Sequence, residues 1–177
     1  SLPPAWRERL IMPSVLSKER LEKILSTLPE IKVAVVGDFF LDRYMEIDPE
    51  LSEVSLETGL EAHQIVRIRS EPGAAGTVAR NLAALGVGKI FGVGAIGQDG
   101  EGFELKKALA KWSIDLSELI EAPDRFTPSY IKPLRIEKSR PPEELNRQDI
   151  KNRQPTPDVL QELSLIHISE PTRLRRI

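Results

Sequence analysis

Cysteine is absent from this 177-residue chain, which excludes disulfides and cysteine-bound metal and fits a reducing compartment. Histidine is scarce: with only His63 and His167, a histidine-rich metal centre is not expected. No apolar run approaches the ~20 residues of a membrane-spanning helix. Positive charge is not in excess. Lys and Arg number 25 against 27 Asp and Glu, a net charge of −2, so nothing favours nucleic acid or an anionic membrane as a partner. The opening SLPPAWRERL lacks the long apolar core of a secretory signal. These absences predict a cytoplasmic protein without nucleic-acid or membrane partners.

What is present is ordinary for a globular domain: 40% hydrophobic and 29% charged residues, in a length that supports a hydrophobic core. SKERLEKILSTL (17–28) predicts a short amphipathic helix with Ser17 as N-cap and Leu21, Ile24, Leu25 and Leu28 on one face. IKVAVVG (31–37) is apolar on both faces and predicts a central, buried, parallel strand. RYMEID and EAHQIVRIR alternate in polarity and predict half-exposed strands. AAGTVARNLAALG predicts a helix, rich in small residues at its start, with Val78, Leu82 and Leu85 on one face, stopped by Gly86. KIFGVGAIG (89–97) predicts a second buried strand and GFELKKALAKW (102–112) a third helix. LSELIE and SYIKPLRIE are further strand candidates, and DVLQEL (158–163) reads as helical. The order predicts an α/β sheet with an inserted β element.

Residues 163–173, LSLIHISEPTR, resemble the in-frame translation of a transposase mosaic-end sequencing adapter. The alternative is a natural alternating strand. The adapter reading predicts that the natural sequence is interrupted near Glu162, and it removes His167 from consideration. The chain then divides into a lead-in and helix (1–30), a globular part (31–162) and an adapter-derived tail (163–177). Met12 is a candidate natural start.

Three stretches carry chemistry. VAVVGDFFLDRY (33–44) runs an apolar strand into Asp38 and Asp42. At the carboxyl end of an α/β strand these would face the ligand side, where carboxylates accept hydrogen bonds from vicinal hydroxyls. The alternative is that Asp38 caps a turn and Asp42 pairs with a surface cation. PGAAGTVARN (72–81) puts small residues at a helix start, which permits either a close ligand or close helix–sheet packing. It is not a P-loop, since no Gly-Lys-Ser/Thr follows. GVGAIG (92–97) fits G-x-G-x-x-G, so a dinucleotide-binding oxidoreductase using Gly92, Gly94 and Gly97 stays open as an alternative. That function needs a helix beginning within the motif, and helical character begins only near Gly102, so Gly92 and Gly94 are expected inside a strand against which helices pack. His63 reads as a surface or lid residue.

In order and spacing, VVGDFFLDRY, PGAAGTVARNLAALG and GAIGQDGEG resemble the PfkB (ribokinase-like) carbohydrate kinases. They look most like the heptose-phosphate kinase domain of bifunctional kinase/adenylyltransferase enzymes, and LNRQDIKN (145–152) is similar to those enzymes' arginine-x-aspartate strand. The resemblance runs from about Ile31 to Val159. It implies a ribokinase-like α/β fold: a truncated central sheet flanked by helices, with a small β-sheet lid built from strands near 43–70 and 128–137. It also implies that Asp42, at the end of the first core strand, bonds sugar hydroxyls, with Asp38 a neighbouring candidate. Gly73, Ala74 and Thr77 would form the sugar-contacting turn. The family usually has a second glycine where Ala74 stands and asparagine where Thr77 stands. A threonine hydroxyl offers fewer hydrogen bonds than a carboxamide. The family's Gly-Ala-Gly-Asp motif, with its general-base aspartate and the ATP pocket, lies in a C-terminal half that is not found before the tail. The resemblance thus implies ATP and Mg2+ as cofactors of a longer parent, and a sugar or sugar phosphate as substrate. It assigns no catalytic, cofactor-binding or metal-binding residue to this chain, which is expected to be inactive alone. Family lids often pair between two chains, so a homodimer through the lid, or a non-catalytic lid-mediated interaction module, is a further expectation.

Overall fold

The computed structural model describes residues 16–154 and Asp158. The lead-in through residue 15, Met12, the body of the expected helix at 158–163, and the tail with His167 lie outside the described residues.

The chain enters through helix α1 (Lys18–Thr27), where the Ser17 hydroxyl accepts from the Arg20 N–H, as the sequence predicts. Strand β1 (Lys32–Val36) follows, then the long β2 (Phe39–Ile47). A small hairpin, β3 (Glu53–Val54) with β4 (Glu61–Ala62), leads to β5 (Ile65–Ala74). Helix α2 (Ala75–Ala84), β6 (Lys89–Gly97), α3 (Gly100–Ala110) and β7 (Leu119–Ala122) come next. β8 (Ser129–Arg135), β9 (Glu143–Glu144) and β10 (Gln148–Ile150) close the described part.

Two sheets share the work. The body is a parallel sheet in the order β1-β6-β7, with Val33 opposite Ile90 and Gly94 opposite Leu119. The lid is a mixed sheet, β10-β8-β2-β5, in which β2 runs antiparallel to β5 and parallel to β8. Helices following β5 and β6 make this the α/β arrangement with a small β-sheet lid that the sequence predicts. The core joins both sheets: Val35, Ile90, Ile96 and Leu119 of the body meet Phe39 and Leu41 of the lid, together with Ala79, Leu105 and Leu109 of the helices.

One expectation needs correcting, and one helix buries a stripe that its hydrophobic residues do not mark. β1 is not central: among the described residues it is an edge strand, and only Val35 of its five residues is buried. α2 does not bury Val78 and Leu85, which are 51% and 58% exposed; it buries Gly76 and Ala79. Small residues on that stripe let the helix lie close to the core, and Leu82 packs there from its flank.

Candidate functional site

β1 ends at Val36, and a bend at Gly37 and Asp38 starts β2 at once. Asp42 is therefore four residues inside the lid and not at the end of the core strand. The apolar run hides a change of sheet, because apolar residues continue across the bend into Phe39 and Leu41, which are fully buried. Asp38 is exposed in the bend, and its carbonyl accepts from the Ala75 N–H at the start of α2 (3.1 Å).

The strand period of two puts Phe40, Asp42, Tyr44 and Glu46 on one face of β2. Register brings partners onto that face. Asp42 lies opposite Tyr130 of β8 and Glu71 of β5, Tyr44 lies opposite Lys132, and Asp149 of β10 lies opposite Tyr130. Lys132 Nζ sits 2.7 Å from Asp42 Oδ1, both side chains being less than a fifth exposed. Lys132 also reaches the Tyr44 hydroxyl at 3.4 Å and lies 4.9 Å from the Tyr44 ring centre. Burial alone would pull the Lys132 ammonium down, but the hydrogen bonds to Asp42 and Tyr44 outweigh it and hold it above the usual lysine range.

Aromatic rings form the floor beside this pair. Phe40 meets Tyr130 edge-on, with centres 4.8 Å apart. The Arg147 guanidinium lies 4.7 Å and the Lys151 ammonium 5.2 Å from the Tyr130 ring centre. Both cations hold Asp149, with Lys151 at 2.8 Å and Arg147 donating through Nε at 2.7 Å and NH2 at 3.1 Å. Hydrogen bonds from Lys151 and then Arg147 push the Asp149 carboxyl below its usual range. The face thus offers carboxylates, cations and flat apolar rings side by side. That mixture suits a ligand with hydroxyls, an anionic group and an apolar ring face.

The glycine-rich turn borders this face. Gly73 stands opposite Phe40, and a Cβ there would run into the Phe40 ring. Ala74 takes φ 44° and ψ −113°, a conformation that favours glycine. The Thr77 hydroxyl donates to the Pro72 carbonyl at 2.9 Å. Its proton is committed to the turn, leaving it only acceptor capacity toward a ligand. Of the candidates, Asp42, Gly73 and Ala74 are brought to one border of the lid, while Asp38 is tied in by its backbone.

Gly92, Gly94 and Gly97 all lie within β6, and α3 starts only at Gly100 behind the cap residue Asp99. What packs against Gly92 and Gly94 is the Phe39 ring rather than a helix: Cβ atoms there would stand 3.2 and 3.1 Å from it. The motif serves core packing. Asp99 caps α3 through the Gly102 N–H and also accepts from the Thr127 N–H, both at 2.8 Å, which ties the start of β8 to the body. His63 is exposed, 3.5 Å from Glu61, in keeping with a lid residue.

Sequence reasoning missed Lys132, Tyr44 and Tyr130. The alternation in SYIKPLR places Tyr130 and Lys132 on one face, but no local signal gives the register that sets them beside Asp42.

No protein-family model matches the chain. Curated sequences do. The chain is 39% identical over 100 residues to the bifunctional protein HldE of Bradyrhizobium sp. (strain ORS 278), covering 56% of this chain and 20% of that protein. It is 31% identical over 132 residues to bifunctional protein HldE of Gluconobacter oxydans, covering 74% of this chain and 26% of the relative. The chain resembles a stretch of HldE. The PfkB-type carbohydrate-kinase resemblance read from the motifs is supported by these HldE relatives, of which the chain spans between 20% and 26%. Among solved structures, a carbohydrate kinase from Agrobacterium tumefaciens aligns at TM-score 0.49 and 23% identity, over 67% of this chain and 34% of that one. Arabidopsis thaliana ribokinase complexed with ribose and ATP aligns at 0.45 and 20%, over 63% and 34%.

Proposed function

We propose that this chain supplies the sugar-binding part of an ATP-dependent sugar kinase whose substrate is a sugar phosphate such as a heptose phosphate, a class defined by hydroxyls beside an anionic group. The observation that carries this reading is the Asp42–Lys132 pair, 2.7 Å apart on a half-buried face beside the Gly73 turn. Similarity to HldE supports it. Asp42 would exchange part of its bond to Lys132 for sugar hydroxyls, and the released ammonium, with Arg147 and Lys151, would meet the anionic group. Phe40 and Tyr130 would carry the apolar ring face.

In the parent reaction a sugar hydroxyl attacks the terminal phosphoryl group of ATP, with Mg2+ offsetting the charge. The described residues do not fit that second half. They hold no group of three or more His, Asp or Glu that could bind a metal, and Asp42 and Asp149 are engaged with cations. In this reading ATP, Mg2+ and the general base belong to residues outside the described part, and this chain alone does not turn over.

Calorimetry with a heptose phosphate, the unphosphorylated sugar and ATP tests the proposal. The sugar phosphate is expected to bind best. Asp42→Asn should weaken it roughly 10- to 100-fold, the loss of a charge-assisted hydrogen bond of about 1.5–3 kcal/mol. A protein extended to the length of the relatives should transfer phosphate from ATP·Mg2+, and the 177-residue chain should not. Equal affinity in the wild type and Asp42→Asn would overturn the assignment.

A further inference from the structure

We propose that the groove between the free edge of β5 and helix α3 is a separate anion site, suited to a phosphate group and independent of the sugar reading. Among the described residues β5 pairs with β2 on one side only, so its other edge leaves backbone groups open. That edge borders a cavity of about 410 Å3, the size of a small-ligand site.

Five cations line it: Arg43, Arg67, Arg69, Lys107 and Lys111. Their countercharges are too few. Arg43 pairs with Glu101 at 3.2 Å and Lys107 with Glu104 at 3.7 Å. Arg67 and Arg69 share the one carboxylate of Glu46, at 3.8 and 3.1 Å. Lys111 has no ion pair among the described residues. Glu71, which also lines the groove, is turned to Arg80 at 2.7 Å. Lys111 and one guanidinium of the Arg67–Arg69 pair thus remain uncompensated, in a chain whose net charge is −2.

A phosphate monoester, with about −1.5 to −2 charges at neutral pH, matches that deficit. Guanidinium forks suit its oxygens. Arg43 adds an unmet donor: its Nε–H is buried and has no hydrogen-bond partner among the described residues. The same chemistry could come from free phosphate or from a phosphorylated small molecule.

Trp112 adjoins the groove, lining a smaller cavity with Lys111 and Glu71, and it serves as a local reporter. The chain has two tryptophans, so Trp6→Phe leaves Trp112 alone. That protein is titrated with inorganic phosphate and, separately, glucose 6-phosphate, at ionic strength held constant with chloride, by fluorescence and by calorimetry. A saturable signal is expected, weakened at least tenfold by Lys111→Glu, an exposed position where folding should persist, and unchanged by Asp42→Asn. Saturation by phosphate identifies the free ion; saturation by the ester alone identifies a phosphorylated metabolite. No saturable signal by either method overturns the proposal, as does one that survives Lys111→Glu. A signal abolished by Asp42→Asn places the anion on the sugar face and overturns the separate site, without touching the sugar reading.

Discussion

Along β2, neighbouring residues live in different surroundings. Phe39 and Leu41 are buried against the body, Ile47 is buried at the other end of the strand, and Arg43 on the same side reaches Glu101 of α3. Phe40, Asp42, Tyr44 and Glu46 are half-buried, and each meets an aromatic or charged partner: Tyr130, Lys132, Lys132 again, and Arg69. One strand therefore fastens the lid with one face and lays out a polar surface with the other. The comparison separates two roles that a single motif had joined. The strand's apolar character belongs to anchoring, and its carboxylate to the candidate site.

The anchoring face should be the more costly to disturb. Phe39 is fully buried, with its ring over Gly92 and Gly94 and beside Gly76. Phe39→Ala should destabilise the protein by about 3–5 kcal/mol, through lost burial and a cavity that three glycines cannot fill. Chemical denaturation measures it. A loss below about 1 kcal/mol would mean that the lid does not depend on this anchor.

Much of the fold was legible because its signals are local. Ser17, the β-branched run of β1 and the helices after β5 and β6 follow from caps and periodicity. The site was legible only through Asp42 and the glycine turn. Lys132 reaches Asp42 through parallel pairing of β2 with β8, a contact between distant parts of the chain that no pattern encodes. The buried stripe of α2 was not legible from hydrophobicity, because Val78 and Leu85 are exposed while close approach selected Gly76 and Ala79. The glycines of GVGAIG looked like a nucleotide motif because close packing demands the same residue: Gly92 and Gly94 lie against the Phe39 ring, and Gly97 against the backbone of Arg125 and Thr127.

The polar face should respond more gently and in a pH-dependent way. Lys132→Met leaves Asp42 half-buried without its cation, a cost of about 1–2 kcal/mol near neutral pH. The folded-state pKa of Lys132 is raised, so its contribution is fully present below the unfolded value of about 10.4. It is lost as pH rises through the folded pKa. Wild-type stability should fall across that alkaline range more than the variant's does, as denaturation at pH 8 to 11 would show. Parallel curves would mean that the pair contributes nothing.

The smallest effect should be a gain, at the point where the two faces of β2 meet α2. Ala74 lies opposite Phe39, is exposed, and holds φ 44° with ψ −113°. An L side chain in such a conformation costs about 1–2 kcal/mol, whereas glycine loses about 0.5–1 kcal/mol to its freer unfolded state. Strain relief should win narrowly, so Ala74→Gly is expected to stabilise by roughly 0.5 kcal/mol and to raise the melting temperature by about 1–2 °C. Because the methyl group is exposed, no packing is lost to offset the gain. A fall in melting temperature would show that the methyl group holds the turn in place, and that the turn's geometry is set by Ala74 rather than tolerated by it.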